Sequence, residues 1–258
     1  MNVVAPVVAA LAVACAGVLL GQRLGLGLGR QATVALARAL VQLAALAFVF
    51  KLVLATTGLS AAFGVVMLVV ATLTSAGRLR PLPRAALIAL LAIGLPAALA
   101  LATLFLSGAF EASTRNLLPL AGIVMGNCML ITSLTGARIA DELSARLGEV
   151  EGMLALGYTP AAALHALELR AVQRALVPLF DQTKNVGIVT LPGAFVGMML
   201  GGASPIDAAK VQFVVLALLI GAGAGSVVTV VLFVRALVIT RDGRVELPPQ
   251  LRARREQA

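Results

Sequence analysis

Four charged or amide side chains inside apolar runs are the first candidates for chemistry. Arg38 and Gln42 lie four residues apart in one run, and Asp181 and Lys184 lie three residues apart in another. Both spacings place the two side chains on the same face of a helix. An ionisable group at membrane depth costs about 2.5–3.5 kcal/mol on insertion scales, so each pair indicates either a polar pathway or internal compensation. The spacing of Asp181 and Lys184 predicts an ion pair that lowers this cost.

A second group of candidates has softer chemistry. Asn127 lies inside an apolar run, where its amide needs a hydrogen-bond partner and is suited to lining a pathway. Met125 and Met129 lie four residues apart, and their thioethers are either soft metal ligands or core packing. Pro192 and Gly193 interrupt another apolar run, which indicates either a gating hinge or a static kink.

Motifs of the common enzyme classes are missing from the sequence. The single histidine, His165, excludes metal sites built from several histidines. The chain has no Gly-rich phosphate-binding loop ending in Lys-Ser or Lys-Thr, no HExxH, and no nucleophile paired with a base in any loop. We therefore expect neither catalysis nor a bound cofactor, and we assign no metal ligands. Any energy source is expected to be another polypeptide.

The composition places the chain in a membrane. Of its 258 residues, 60% are apolar and only 12% are charged, against roughly 25% charged in soluble domains. A soluble protein of this size has too little interior to bury so much apolar surface. The net charge of +9 does not indicate nucleic-acid binding, because an aromatic content of 4% leaves no basic face interleaved with stacking rings. The arginines instead indicate membrane topology or contact with anionic lipid.

Continuous apolar runs of helical length define the predicted spans. A helix needs about 20 mostly apolar residues to cross the hydrocarbon core of a bilayer. Seven runs have this length: 3–20, 33–55, 59–76, 85–106, 117–135, 175–200 and 211–234. The sequence therefore predicts an all-α integral membrane protein with about seven transmembrane helices. We expect one transmembrane domain over residues 1–258, with a basic tail at 241–258.

The basic residues are distributed unequally between the two sides of the predicted bundle. One side holds most of the arginines of the connections: Arg23, Arg30, Arg78, Arg80, Arg84, Arg138, Arg146 and Arg170. The basic tail adds to the same side, whereas the opposite connections carry only Arg115 and Lys210. The positive-inside rule then predicts an N-terminus outside the cell and a cytosolic C-terminus, in an inner or plasma membrane.

One polar connection, residues 136–174, is much longer than the others. Apolar residues recur in it at spacings of three and four: Ile139, Leu143, Leu147, Val150 and Leu154. This pattern predicts an amphipathic cytosolic helix over 139–157 that ends at Gly157. Thr159 and Pro160 then suit the cap and the first position of a second helix. The alternative interpretation is a connector helix that lies on lipid or in solvent.

Several motifs along the chain resemble those of a known family. They are R-A-x-x-Q at 38–42 with Lys51 nine residues on, P-x-A-G-x-x-x-G-N at 119–127, A-L-G-x-T-P at 155–160, K-x-V-G-x-V-x-L-P-G at 184–193 and G-x-S-P-x-x-A-x-K-x-Q at 202–212. Together they cover most of the chain. They resemble the Fet-type permeases of bacterial iron-export ABC transporters, whose plant relatives are the membrane subunits of aluminium-tolerance transporters. The six-residue step from Glu151 to Gly157 also resembles the EAA loop, with which ABC permeases contact their ATPase.

The resemblance implies a transport subunit that works with a separate cytosolic ABC ATPase, the chain that would bind ATP and magnesium. It also implies a homodimer that exports a metal ion, most readily iron. The implied ATPase-coupling residues are Glu149, Glu151, Ala155, Leu156, Gly157, Thr159 and Pro160. The implied translocation pathway, through spans two, five and six, has as candidates Arg38, Gln42, Met125, Asn127, Met129, Asp181, Lys184, Pro192 and Gly193.

Two other functions fit the residues. An ABC permease for an organic or anionic substrate would use Arg38 and a basic interior as the attraction. A membrane scaffold without a pathway would pair its polar residues only with each other. An intramembrane enzyme is disfavoured, because the sequence has no paired catalytic carboxylates and no Ser/His set.

Overall fold

The computed structural model describes residues 4–54, 56–108 and 113–239. These residues form nine α-helices and no strand, which confirms the prediction of an all-α protein. The chain divides into two compact units, Met1–Leu59 and Ser60–Ala258. The predicted basic tail at 241–258 lies outside the described residues.

The first unit is a pair of helices, α1 (Val4–Arg23) and α2 (Leu28–Val53), that pack against each other. The turn between them is short because Gly25 and Gly27 adopt left-handed backbone angles, with φ of 74° and 62°. Residues other than glycine rarely adopt this backbone conformation. The turn therefore lets two membrane-length helices fold back on each other with four residues between them.

The second unit is built on four long helices: α3 (Thr57–Arg78, which enters this unit at Ser60), α4 (Ala85–Leu106), α5 (Thr114–Ala145) and α9 (Pro205–Leu237). The helices α4, α5 and α9 all pack on one another. The hydroxyl of Ser75 on α3 hydrogen-bonds the carbonyl of Met129 at 3.1 Å and lies 2.9 Å from the hydroxyl of Ser133. These two contacts fasten α3 to α5.

Three shorter helices complete the second unit and define its two ends. They are α6 (Leu147–Ala155), α7 (Pro160–Lys184) and α8 (Gly193–Leu200). At the end where α6 lies, here called the α6 end, one buried cluster joins α5, α6, α7 and α9 and includes Leu79, Leu143, Leu147, Leu164 and Val234. A cluster at the opposite end contains Leu104, Leu120 and Val215. Most of the core therefore lies between α4, α5 and α9, with α7 added at the α6 end.

The predicted helix over 139–157 is wrong as a single element. Its first part belongs to α5, which continues to Ala145, and only the second part is the separate helix α6. Arg146 breaks the helix because its backbone leaves the helical region, with φ −126° and ψ 25°. The predicted end at Gly157 is confirmed by a left-handed backbone there, with φ 85°. The period of the apolar residues continues across the break, so the sequence pattern did not reveal it.

The predicted span 175–200 is also wrong as one helix. In the described residues, six helices are long and apolar enough to cross a membrane, namely α1, α2, α3, α4, α5 and α9. The predicted span is instead divided between α7 and α8 by residues 185–192. Gly187 takes a left-handed φ of 84°, and Pro192 has no backbone N–H to donate, so the helix cannot continue through them. The helix α7 starts at the α6 end, and α9 starts at the opposite end. The segment formed by α7 and α8 therefore crosses the bundle once, with an interruption between the two helices.

The close approach of α5 to the chain after α3 yields a stability prediction. A Cβ on Gly136 would lie 2.6 Å from Cγ of Leu79, a fully buried side chain. Overpacking of this kind costs about 1–3 kcal/mol, more than the roughly 1 kcal/mol that Ala gains over Gly in a helix. We expect Gly136→Ala to lower the temperature at which the detergent-solubilised protein leaves its monodisperse size-exclusion peak.

Gly126→Ala is the matched control, because it lies on the same helix and a Cβ there would meet no atom within 4 Å. We expect it to leave that temperature unchanged or to raise it. Equal temperatures for the two variants would contradict the packing described for Gly136.

Candidate functional site

The helix α6 presents a short amphipathic surface at the α6 end. Leu147 and Val150 are buried against α5 and α7, which anchors one side of the helix. The other side exposes Glu149, Glu151 and Ala155. A nine-residue helix is too short to be stable alone, so this packing holds it in place.

A compact turn ends α6 and starts α7. Gly157 N–H donates to the carbonyl of Leu154 at 3.0 Å, and Tyr158 N–H donates to the carbonyl of Met153 at 3.0 Å. The hydroxyl of Thr159 accepts from the N–H of Ala162 at 3.3 Å, with Pro160 as the first residue of α7, which confirms the predicted cap. The turn therefore has a defined geometry.

This turn exposes apolar side chains next to the polar side of α6. Leu156 is 79% exposed and Tyr158 is 53% exposed. All seven predicted coupling residues lie on exposed positions of this one surface, from Glu149 to Pro160. We call the exposed residues of 149–160 the α6 surface. An exposed apolar edge with a polar surround is typical of a protein-binding surface.

A buried carboxylate, Glu142 near the end of α5, ties the base of α6 to α7. One of its oxygens accepts a hydrogen bond from Nη1 of Arg174 at 2.8 Å. The other oxygen lies 3.4 Å from Nε of Arg146 and 3.4 Å from Nε of Arg170. Arg146 also contacts Glu149 of α6 at 3.3 Å. Charge-assisted contacts therefore join α5, the break before α6, and α7.

A second buried carboxylate, Glu168, ties α7 to α9. Its side chain is 3% exposed, and Arg235 binds both of its oxygens with Nε at 3.0 and 2.9 Å and with Nη2 at 2.6 Å. This bidentate geometry makes the ion pair stronger and more directional than one with a single hydrogen bond. The α7 helix is thus attached to both of its long neighbours near the α6 end.

The sequence reasoning did not single out Glu142 or Glu168 as site residues. Both lie in the charged connection 136–174, where charges indicate a solvated surface. A signal was nevertheless present for Glu168, because it shares the helical face of Leu164, Leu167 and Ala171, all of which are buried. A carboxylate on the apolar face of an amphipathic helix needs a buried partner.

The predicted pathway residues on α5 lie in the core of the second unit. Asn127 donates from Nδ2 to the carbonyl of Leu219 at 3.0 Å, which supplies the amide partner that its position requires. Met125 is buried in the cluster between α3, α4, α5 and α9, and Met129 packs against that cluster. These contacts fit the packing alternative for the two thioethers. Arg38 and Gln42 lie on the exposed surface of α2, in the first unit.

The predicted ion pair between Asp181 and Lys184 is wrong. Both residues are exposed on α7, and no described ion pair joins them. Leu179, which precedes the two charges on α7, packs closely on Gly223, because a Cβ there would lie 2.9 Å from Cδ2 of Leu179. Gly223 is close to the middle of α9, so the two charges lie near the middle of the bundle. Spacing places two side chains on one face, but two exposed flexible side chains need not meet.

The backbone interruption at 185–192 lies next to these two charges. Gly187 N–H donates to the carbonyl of Thr190 at 2.8 Å, and the carbonyl of Asn185 accepts from the N–H of both Val189 and Thr190. Pro192 caps α8, and Gly193 is its first residue. Irregular backbone at membrane depth is tolerated only where it is covered by protein or lines a water-filled cavity. This interruption is therefore the strongest structural indication of a pathway or an interface.

Two further observations concern whether the described residues could hold a metal ion or a solute. No group of three or more His, Cys, Asp or Glu side chains there could hold a metal ion. A groove of about 440 Å³ runs between α4 and α9, and its lining is almost entirely apolar. The hydroxyls of Thr103 and Thr229 in it donate to carbonyls of their own helices. The groove therefore presents no free hydroxyl donor to a solute.

The contact between Glu168 and Arg235 yields a stability prediction. Removing one partner of a buried pair costs about 3–5 kcal/mol, and a third of the Arg235 side chain is exposed, so we expect Glu168→Gln to fall toward the lower end of that range. Thermal unfolding in detergent measures the loss. Glu149→Gln, in an exposed pair with Arg146, is the control and should cost about 0–1 kcal/mol.

The double variant Glu168→Leu with Arg235→Met separates the pair from the packing around it. Replacing both partners with apolar side chains should recover most of the stability lost in Glu168→Gln. A double variant that is less stable than the single one would contradict the assignment of the loss to an uncompensated charge.

Comparisons with known proteins place the chain in a family. The model of the uncharacterised protein family UPF0014 matches residues 4–238. The UPF0014 membrane protein STAR2 of Oryza sativa subsp. japonica is 36% identical over 219 residues, which is 83% of this chain and 76% of the relative. Protein ALUMINUM SENSITIVE 3 of Arabidopsis thaliana is 34% identical over 223 residues, 86% of this chain and 82% of the relative.

A bacterial relative is more distant but equally extensive. The probable iron export permease protein FetB of Escherichia coli (strain K12) is 28% identical over 208 residues, 80% of each chain. No solved structure matches the chain. The match to the family model covers nearly all described residues, including both units and α6. The chain therefore belongs to the UPF0014 family and is a multi-pass membrane protein.

Proposed function

We propose that the chain is the membrane permease subunit of an ABC transporter that exports a metal ion, iron, from the cytosol. The observation that carries the proposal is the α6 surface, whose helix packs on α5 and α7 through buried apolar residues and is joined by Arg146 to the buried Glu142. Such a surface suits a water-soluble partner that binds at the membrane face and moves the helices of the bundle. The Escherichia coli relative, named as a probable iron export permease, supports the choice of transport and of substrate.

Force applied to the α6 surface has a short mechanical route into the bundle. Arg146 lies between α5 and α6 and contacts Glu142 and Glu149, so tilting α6 displaces the Glu142 cluster. Arg174 transmits this displacement to α7 through its 2.8 Å contact with Glu142. The helix α7 leads directly to the interruption at 185–192, where a passage would open or close.

The proposed orientation of the chain in the membrane follows from the basic residues of the second unit. The α6 end carries Arg78, Arg80, Arg84, Arg138, Arg146, Arg170 and Arg174, whereas the opposite end carries only Arg115 and Lys210 among the described residues, near the starts of α5 and α9. By the positive-inside rule the α6 end is cytosolic, in an inner or plasma membrane, with the N-terminus outside and the C-terminus inside. The α6 surface then faces the compartment in which an ATPase and its ATP and magnesium are found.

The energy source in this proposal is the partner, and the chain itself is not an enzyme. The ATPase subunit hydrolyses ATP, and two copies of the permease form the pathway between them. Iron is the substrate of the complex, and it crosses the membrane along the pathway between the two copies.

Contact with the ATPase is tested by placing a charge on the α6 surface. We expect Leu156→Glu to reduce co-purification of an ABC ATPase encoded beside the gene by at least about tenfold, because a central apolar contact is replaced by a buried charge. Leu156 is 79% exposed, so folding should be unaffected. Leu106→Glu, an exposed leucine at the opposite end of the second unit, is the matched control and should keep the ATPase. Equal co-purification by both variants would count against the α6 surface as the docking site.

The substrate is tested in the reconstituted complex of permease and ATPase. We expect ferrous iron to stimulate ATP hydrolysis and to be pumped across the membrane of proteoliposomes, whereas organic anions should have no effect. Stimulation by organic anions alone would replace iron with the alternative substrate class. A complex that hydrolyses ATP but moves no tested solute would remove iron from the proposal and keep the coupling.

A further inference from the structure

Two opposite charges on α7 form no ion pair with any described residue, although their spacing favours a pair. Asp181 and Lys184 are three residues apart on one helix, and both are exposed. The second pair of this type in the chain behaves differently, because Oδ1 of Asp207 lies 3.4 Å from Nζ of Lys210 at the same spacing. The geometry of the helix therefore permits the pair, and the two α7 charges remain available for a contact with another chain.

The surroundings of these charges suit neither lipid nor water. They lie near the middle of the second unit, one turn beyond Leu179, which touches the central part of α9. Directly after them, Ile188 is 90% exposed and Val189 is 74% exposed on the interruption. Lipid would leave the charges and the irregular backbone unsolvated, and water would leave the apolar side chains exposed. A protein surface that carries both charged and apolar groups would suit the two charges, the irregular backbone and the apolar side chains together.

We infer that this surface, formed by Asp181, Lys184, Ile188, Val189 and Leu191 and here called the α7 surface, is the two-fold contact between two copies of the chain. The inference rests on the homodimer of the proposed function and identifies its interface. In a two-fold contact each patch meets itself, so the partner must be self-complementary. A patch with one acid and one base meets this condition, because Asp181 of each copy pairs with Lys184 of the other.

The arrangement also explains why the interruption is tolerated. The two irregular segments lie against each other across the two-fold axis, where protein covers their backbone groups. Two ion pairs flank them, and each charge at membrane depth has a counter-charge. The apolar side chains of 188–191 then fill the contact between the pairs.

Charge exchange between differently tagged copies tests the interface. The variant Asp181→Lys carries two lysines on the α7 surface, and Lys184→Asp carries two aspartates. Each variant alone should lose self-association by at least about tenfold, because like charges face each other. Co-expression of the two should restore association, because every lysine then faces an aspartate. The measurement is the amount of one tag recovered with the other from nanodisc-reconstituted protein.

The ion pair between Asp207 and Lys210 provides the matched control. Asp207→Lys and Lys210→Asp make the same charge changes in the pair that forms within one chain, and they should leave self-association unchanged. Recovery by the double exchange in one chain, without recovery on co-expression of the single variants, would assign the pair to one chain and overturn the inference. Wild-type protein that does not self-associate would also overturn it.

Disulfide trapping gives a second test that does not depend on weakened variants. Cys15 and Cys128 are first replaced by serine and alanine, so that the introduced thiols are the only ones. Asp181→Cys in one copy and Lys184→Cys in another should cross-link on oxidation, whereas Asp207→Cys and Lys210→Cys should not. Cross-linking of position 181 to α2 instead would show that the first unit covers this surface.

The outcomes distinguish this inference from the proposed function. Cross-linking at the α7 surface with no binding of the ATPase would overturn the coupling and keep the interface. Binding of the ATPase with neither cross-linking nor charge recovery would keep the permease and overturn the interface.

Discussion

The contact between Glu168 and Arg235 is the interaction on which the α6 end of the second unit depends. It places a carboxylate with 3% exposure on the apolar face of α7 and neutralises it from α9. The desolvation of Glu168 is offset only while the two helices keep their register. Because Glu142 adds α5 and the break before α6 to the same region, four helices are positioned by two buried carboxylates. Apolar packing alone would allow these helices to slide.

This constraint gives the α6 end and the interior different mechanical properties. Near α6, directional charged contacts and the cluster around Leu143 and Leu164 hold the helices together. Further along α7, the contacts to α5 and α9 are apolar and centre on Leu179, and beyond Lys184 the regular helix stops. In the proposed function, movement imposed at α6 would be carried along α7 to the interruption at 185–192.

Much of the helical architecture follows from the sequence for simple physical reasons. Long apolar runs have few stable alternatives to helices in a bilayer, so the six continuous spans were predicted near their observed positions. Glycine and proline chemistry is also local, which is why the stop at Gly157 and the cap at Thr159 were correct. The resemblance to a family rested on motifs that include Gly157 and Thr159, and the family model that matches residues 4–238 confirms it.

The failures of the sequence analysis involve contacts between distant residues. The break at Arg146 is stabilised by Glu142 and Glu149, and nothing in the apolar period changes there. A gating hinge or a static kink was expected at Pro192 and Gly193, but the interruption begins earlier, because the effect of Gly187 on backbone direction is not visible in hydropathy. The pairing of Asp181 with Lys184 was inferred from spacing, although spacing specifies proximity of backbone positions and not of side-chain ends. The partner of Arg235 is 67 residues away in sequence, beyond any local rule.

The composition of α7 connects these observations. Its inward face carries Glu168 with Ala171, Ala175 and Leu179, and its outward face carries Asp181 and Lys184. A helix with charges on both faces is poorly suited to contact lipid on either, which is why it is not among the six apolar spans. It is suited to lie between protein on two sides, with α5 and α9 on one of them. The second side has no partner among the described residues of the second unit, so the sequence of α7 is fully explained only when protein covers that side.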